Sequence, residues 1–144
     1  MNEFKMNASP SSTLEKRSLQ ILCIDDDEQI LDMLKACLGH HGHQVRVASG
    51  GKHGVELFRT AILKSEPYDV VITDLGMPDL DGYQVAWAIK IESPKTPVVM
   101  LTAWGANVRN DEALSSTVNA VVSKPPKIQE LDNLLLRLAV QPLP

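Results

Sequence analysis

The sequence predicts an α/β protein, a doubly wound parallel five-stranded sheet, on three observations. Five short apolar runs rich in β-branched residues alternate with longer segments of helical periodicity. Several runs are apolar at successive positions rather than every second one, as parallel strands covered on both faces require. The strand–helix order repeats five times, which implies right-handed crossovers and helices on both faces of the sheet.

The strands are expected at Leu19–Ile24, Gln44–Ala48, Val70–Thr73, Pro97–Leu101 and Ala120–Val122. Helical spacing runs over Glu28–Leu38, with Ile30, Leu34 and Cys37 on one side and Met33 close by. It recurs over Gly51–Leu63 through Val55, Phe58 and Ile62, and over Gly82–Ile91 through Val85, Ala86 and Ile89. The last helix, Lys127–Ala139, carries Ile128, Leu131, Leu134, Leu135 and Leu138; a shorter, more polar one is expected over Ala106–Thr117.

A chain of 144 residues has the size of one domain and needs no staples to bury a core. Residues 18–140 are expected to form it, between a polar, flexible tail at 1–17 and a short tail at 141–144. The net charge of −4, without a basic run, disfavours nucleic-acid binding by this domain. No apolar stretch reaches the roughly 18 residues of a membrane span, and the polar N-terminus lacks the apolar core of a secretory signal. The two cysteines, Cys23 and Cys37, stand in apolar surroundings without partners at ligand spacing and are expected to pack in the core. The cytoplasm is the expected compartment.

In such sheets ligands bind beyond the carboxyl ends of the strands. The first strand ends in Asp25-Asp26-Asp27, the third in Asp74, the fourth in Thr102 and the fifth in Ser123-Lys124. Two carboxylates about 4 Å apart repel by about 4 kcal/mol at an effective dielectric of 20. A divalent cation would relieve that repulsion, and Mg²⁺ characteristically takes one or two carboxylates, waters and a phosphate oxygen. Asp26 or Asp27 could instead cap the following helix, and Asp26-Asp27-Glu28-Gln29 has the look of a capping box. Capping leaves Asp74 unexplained, because Pro78, Asp81 and Gly82 already supply the turn and Asp81 a cap for the next helix. Lys124 would point its ammonium at the acids, and a cis bond to Pro125 would fix its direction. Phosphoryl transfer to a carboxylate needs these parts: an acid nucleophile, a cation, an ammonium and a hydroxyl.

The stretches Ile21–Asp27, Asp74–Gly82, Leu101-Thr102-Ala103 and Ser123-Lys124-Pro125 resemble the receiver domain of two-component response regulators, over nearly all of residues 18–140. The resemblance implies a flavodoxin-like (βα)5 fold with strand order 2-1-3-4-5. It implies Asp74 as phosphoacceptor, Asp25 and Asp26 as the acidic pair, with Asp26 the more direct Mg²⁺ ligand, and the Gly76 carbonyl as a further ligand. Thr102 and Lys124 would sense the phosphoryl group. The donor would be a sensor histidine kinase's phosphohistidine or a phosphotransfer protein. The outcome would be a switch in partners, including a phosphorylation-dependent homodimer, rather than turnover on outside substrates. Many receivers carry Tyr or Phe three residues before the lysine; here that position is Val121. The Leu101–Gly105 stretch with Val121 looks more like receivers of hybrid sensor kinases than those fused to DNA-binding domains. No effector domain is expected after about residue 140, so the chain reads as a stand-alone receiver or a piece of a longer one.

Two other functions fit parts of the pattern. Asp25 and Asp27 have the Asp-x-Asp spacing of Mg²⁺-dependent aspartyl-phosphate phosphohydrolases, and a receiver-like scaffold that is never phosphorylated would keep the fold alone. Some suggestive residues have plainer explanations. His40, His41 and His43 lie at the amino-terminal edge, opposite the acids, where a helix C-terminus favours them and Gly42 suits the cap. His53 is expected in solvent on the second helix, Asp79 inside a turn, and Pro126 in the first turn of the last helix.

Overall fold

A computed structural model of the chain describes residues 17–103 and 116–139. Within them lie strands β1 (Gln20–Ile24), β2 (Gln44–Ala48), β3 (Val70–Thr73), β4 (Val98–Thr102) and β5 (Ala120–Ser123). The helices are α1 (Glu28–His40), α2 (Gly51–Leu63), α3 (Gly82–Glu92) and α4 (Ile128–Ala139). The tails and Trp104 lie outside the described residues, as does nearly all of the helix expected at 106–117.

All strand pairs are parallel and the order is β2-β1-β3-β4-β5, the flavodoxin-like arrangement. Strands β3 and β4 are buried at every position, and β1 at every position but its first. Edge strand β2 alternates exposed Gln44 and Arg46 with partly buried Val45 and Val47. Continuous apolar runs thus stand at the centre of the sheet, as coverage on both faces requires. One core joins Ile21, Cys23 and Ile72 to α1 and α4; the other joins Leu22, Ile24 and Val71 to α2 and α3.

Small departures from the expected boundaries have local causes. Leu19 turns its N–H to His43 Nδ1 at 3.0 Å, so β1 begins at Gln20. Pro97 has no N–H to give, and β4 begins at Val98. Helix α1 runs two residues further than expected, and α3 one. The buried face of α1 is Leu31, Leu34 and Leu38 rather than Ile30, Leu34 and Cys37. Ile30 and Cys37 are only half-buried, because the helix is rotated to aim the leucines at the sheet. Cys23 is fully buried as expected, and burial, with the charge of Asp25, pushes its thiol up to about 12. Pro126 precedes the last helix, which opens at Ile128, instead of standing in its first turn.

The histidine cluster has a structural use that goes beyond helix capping. His41 is the C-cap of α1, and Gly42 follows at φ +93, a conformation glycine tolerates. His43 is buried between Leu19 N–H and Asp132, with Nε2 2.6 Å from Asp132 Oδ1. Because Nδ1 accepts from Leu19, the ring proton sits on Nε2 and is donated to Asp132. His41 Nδ1 lies 3.6 Å from the other oxygen of Asp132. Asp132 is thereby the buried polar link from α4 to the start of the sheet. Asp132→Ala is expected to destabilise the domain by roughly 1–3 kcal/mol, since it leaves a buried donor without an acceptor. Urea unfolding would show this as a lower midpoint with unchanged slope.

Candidate functional site

Three strand ends meet at the carboxyl edge of the sheet. Asp25 directly follows β1, where its N–H donates to the Ala48 carbonyl at 3.1 Å, and Asp74 follows β3, where its N–H donates to Ile24 at 2.9 Å. Sheet hydrogen bonding therefore continues one residue past both strands and sets the two carboxylates side by side. Asp25, Asp26 and Asp74 each offer an oxygen, all within 4.8 Å of one another. Asp25 and Asp74 are buried, at 2% and 8% exposure, whereas Asp26 faces solvent.

Lys124 arrives from the end of β5 to bridge the buried pair. Its ammonium lies 2.8 Å from Asp25 Oδ2 and 3.1 Å from Asp74 Oδ1. Burial works against this charge, but the hydrogen bonds and attraction of Asp25, then of Asp74, outweigh it and hold the ammonium above the ordinary lysine range. The deeper carboxylate bears the cost. Burial, foremost, pushes the Asp25 carboxyl up, and Asp74 adds to the effect; bonds from Lys124 and the Asp27 N–H only partly oppose it. The Lys124–Pro125 peptide bond is cis. Thr102 closes β4 at 3% exposure, and its carbonyl accepts the Lys124 N–H at 3.0 Å.

The acidic triplet divides between two arrangements. Asp27 is the N-cap of α1, its Oδ1 accepting from Gln29 N–H at 2.9 Å, while Asp25 and Asp26 join Asp74. Asp81 caps α3 through a reciprocal box with Gln84. Gly76 is exposed in the loop between β3 and α3, two residues from Asp74. Gly82 closes that loop: its N–H donates to Leu75 at 2.7 Å, and a Cβ there would collide with the Asp74 carbonyl. Val121 is half-buried against the α2/α3-side core.

One residue taken for an ordinary turn position does more. The Asp79 carboxylate accepts from the N–H groups of Gly51 and Lys52 at the start of α2, at 3.1 and 2.9 Å. The available signal was Gly50-Gly51-Lys52, a helix start with no capping side chain of its own.

The donor set of the cluster suits a hard divalent cation: it is made of oxygens, two of them on buried carboxylates whose charges need compensation. Residues 21–136 match the response regulator receiver domain family, and the chain belongs to it. Members of this family are the signalling switches of two-component systems. The chain is 30% identical over 113 residues to the transcriptional regulatory protein TcrA of Mycobacterium tuberculosis, covering 78% of this chain and 43% of TcrA. It thus spans less than half the length of that relative. Its fold superposes on a response regulator receiver domain protein from Clostridium thermocellum with TM-score 0.72 at 31% identity, over 85% of this chain and 94% of the other. It also matches the receiver domain of the sensor histidine kinase PA1611 from Pseudomonas aeruginosa, with TM-score 0.73 at 25% identity, over 87% and 100% of the two chains. That receiver has a magnesium ion coordinated in its active-site cleft. No helix among the described residues is long and apolar enough to cross a membrane.

Proposed function

We propose that the chain accepts a phosphoryl group on Asp74 from the phosphohistidine of a sensor histidine kinase or phosphotransfer protein, and that the modified domain exchanges partners. The observation that carries this is the convergence of Asp25, Asp26 and Asp74 with the Lys124 ammonium between the two buried acids. Asp25, Asp26, Asp74 and the Gly76 carbonyl would hold Mg²⁺, which neutralises charge on the phosphoryl oxygens when bound. An Asp74 carboxylate oxygen forms the new O–P bond as the P–N bond of phosphohistidine breaks, and the electron pair leaves with the imidazole. Lys124, already bonded to Asp74, is placed to follow the negative charge onto the phosphoryl group. The Thr102 hydroxyl, at the end of the neighbouring strand, is a second group for a phosphoryl oxygen.

The phosphohydrolase alternative would need Asp27 as the second acid of Asp-x-Asp, and Asp27 is engaged as the cap of α1. Acetyl phosphate with Mg²⁺ is expected to add one phosphoryl mass, in a fragment that contains Asp74. An adduct that survives Asp74→Asn would overturn the assignment. Sustained hydrolysis of a generic phosphomonoester would instead favour the hydrolase. No response to Mg²⁺ with beryllofluoride would leave a binding scaffold.

A further inference from the structure

Helix α2 starts without a cap of its own. Its N-cap residue is Gly50, in extended conformation at φ −169 and ψ 163, and its first turn has no acidic residue. The first four N–H groups of a helix have no partner inside it, and a side-chain oxygen usually takes one or two. Here the acceptor comes from nearly thirty residues away, as Asp79 receives Gly51 N–H on one oxygen and Lys52 N–H on the other. Backbone N–H groups, that of Lys52 first, then those of Leu80 and Gly51, hold the Asp79 carboxyl below the ordinary carboxylate range. It is therefore charged at neutral pH, as the positive end of a helix favours.

The same contact fixes the loop that leaves the acidic cluster. Leu80 presses on the helix start so closely that a Cβ on Gly51 would stand 2.7 Å from Leu80 Cβ and 2.8 Å from its carbonyl oxygen. At the far end the loop is tied by the Asp81–Gln84 box and by Gly82 N–H to Leu75. Gly76, between Asp74 and these anchors, is exposed, and a Cβ built on it would find nothing within 4 Å. With no side chain to wedge it, Gly76 takes its position from the anchors on either side.

We propose that Asp79 is a positioning residue for the divalent-cation site: by capping α2 it moors the loop that carries Gly76 beside Asp25, Asp26 and Asp74. The inference rests on that cluster being the Mg²⁺ site of the proposed function. A cap of α2 alone would be a different role, and the structure offers a way to separate the two. Any residue can adopt the backbone conformation of Gly50, and the three nearest atoms to a Cβ there, at 3.1 to 3.6 Å, all belong to the Asp79 carboxylate. Once Asp79 is alanine, Gly50→Ser has room and supplies a local cap to α2 without touching the loop.

The experiment measures Mg²⁺ affinity by titration calorimetry and the thermal midpoint in chelator, for the wild type, Asp79→Ala and Gly50→Ser/Asp79→Ala. Asp79→Ala is expected to lower the midpoint and weaken Mg²⁺ binding about tenfold, as loss of a supporting residue around a metal site does. The double variant is expected to recover the midpoint but keep the weakened affinity. Recovery of both together, or an Asp79→Ala affinity equal to wild type, overturns the positioning role. A wild type that binds no Mg²⁺ overturns the cation-site reading and this inference with it; wild-type binding unaffected by Asp79→Ala overturns the inference alone.

Discussion

Gly82→Val is expected to remove a large share of the domain's stability and to weaken its Mg²⁺ affinity. Gly82 is the first residue of α3 and its N–H closes the loop onto Leu75. Even a single Cβ there would meet the Asp74 carbonyl oxygen, Met100 Sδ at 2.7 Å and Leu75 Cα at 2.9 Å. Met100 can move its side chain, but two of the three obstacles are backbone belonging to the cluster residue and its neighbour. Relief therefore has to come from shifting Asp74 itself or from pushing α3 away from the sheet. Overpacking of a core typically costs about 1–3 kcal/mol, and valine adds two methyl groups to the clash. Against a total stability of about 5–15 kcal/mol that is a large share. Gly82→Ala is the graded test: a lower urea midpoint together with a raised Mg²⁺ dissociation constant is expected. An alanine variant with both values unchanged would show that the loop has slack next to Asp74, contrary to the packing described.

How much of this could be read in the sequence depended on how local the cause was. The central strands were legible because burial on both faces writes an unbroken apolar run, as in Val70–Thr73. The acidic edge was legible because topology alone brings strand ends together, so Asp25, Asp74 and Lys124 met as the strand order requires. The rotation of α1 was not, since Ile30, Leu31, Leu34 and Cys37 allow two overlapping apolar stripes and only packing against the sheet chooses Leu31 and Leu38. Nor was the use of Asp79 or Asp132. Each caps or braces an element far away in the chain, and a side chain that serves a distant partner leaves no periodic trace beside itself.

Asp25→Asn should make the domain more stable without metal and less stable with it. The carboxyl of Asp25 is raised chiefly by burial, with Asp74 adding, while Lys124 and the Asp27 N–H oppose the shift without cancelling it. A carboxyl raised in the folded state favours its protonated form there. The corresponding stability is fully present below the ordinary value of 3.8 and is lost as pH rises through the higher folded value. At neutral pH the Asp25 charge is therefore a net burden on the metal-free fold. Asparagine keeps the shape and an acceptor for Asp27 N–H but drops the charge, so its melting midpoint in chelator should exceed that of wild type. That advantage should shrink as pH falls below the folded value and vanish below 3.8, where wild type is neutral too. Mg²⁺ reverses the order. A ligand at a hundred times its dissociation constant adds about 2.7 kcal/mol to the state that binds it, and the variant, short of one carboxylate, should bind at least about tenfold more weakly, the loss that even a supporting residue around a metal causes. Melting curves with chelator and with saturating Mg²⁺ should therefore cross over between the two proteins. If the variant melts lower in chelator, the Lys124 pairing outweighs burial. If both proteins gain equally from Mg²⁺, Asp25 is no part of the cation site. The crossing is the mark of a residue kept for its chemistry at the expense of the empty fold.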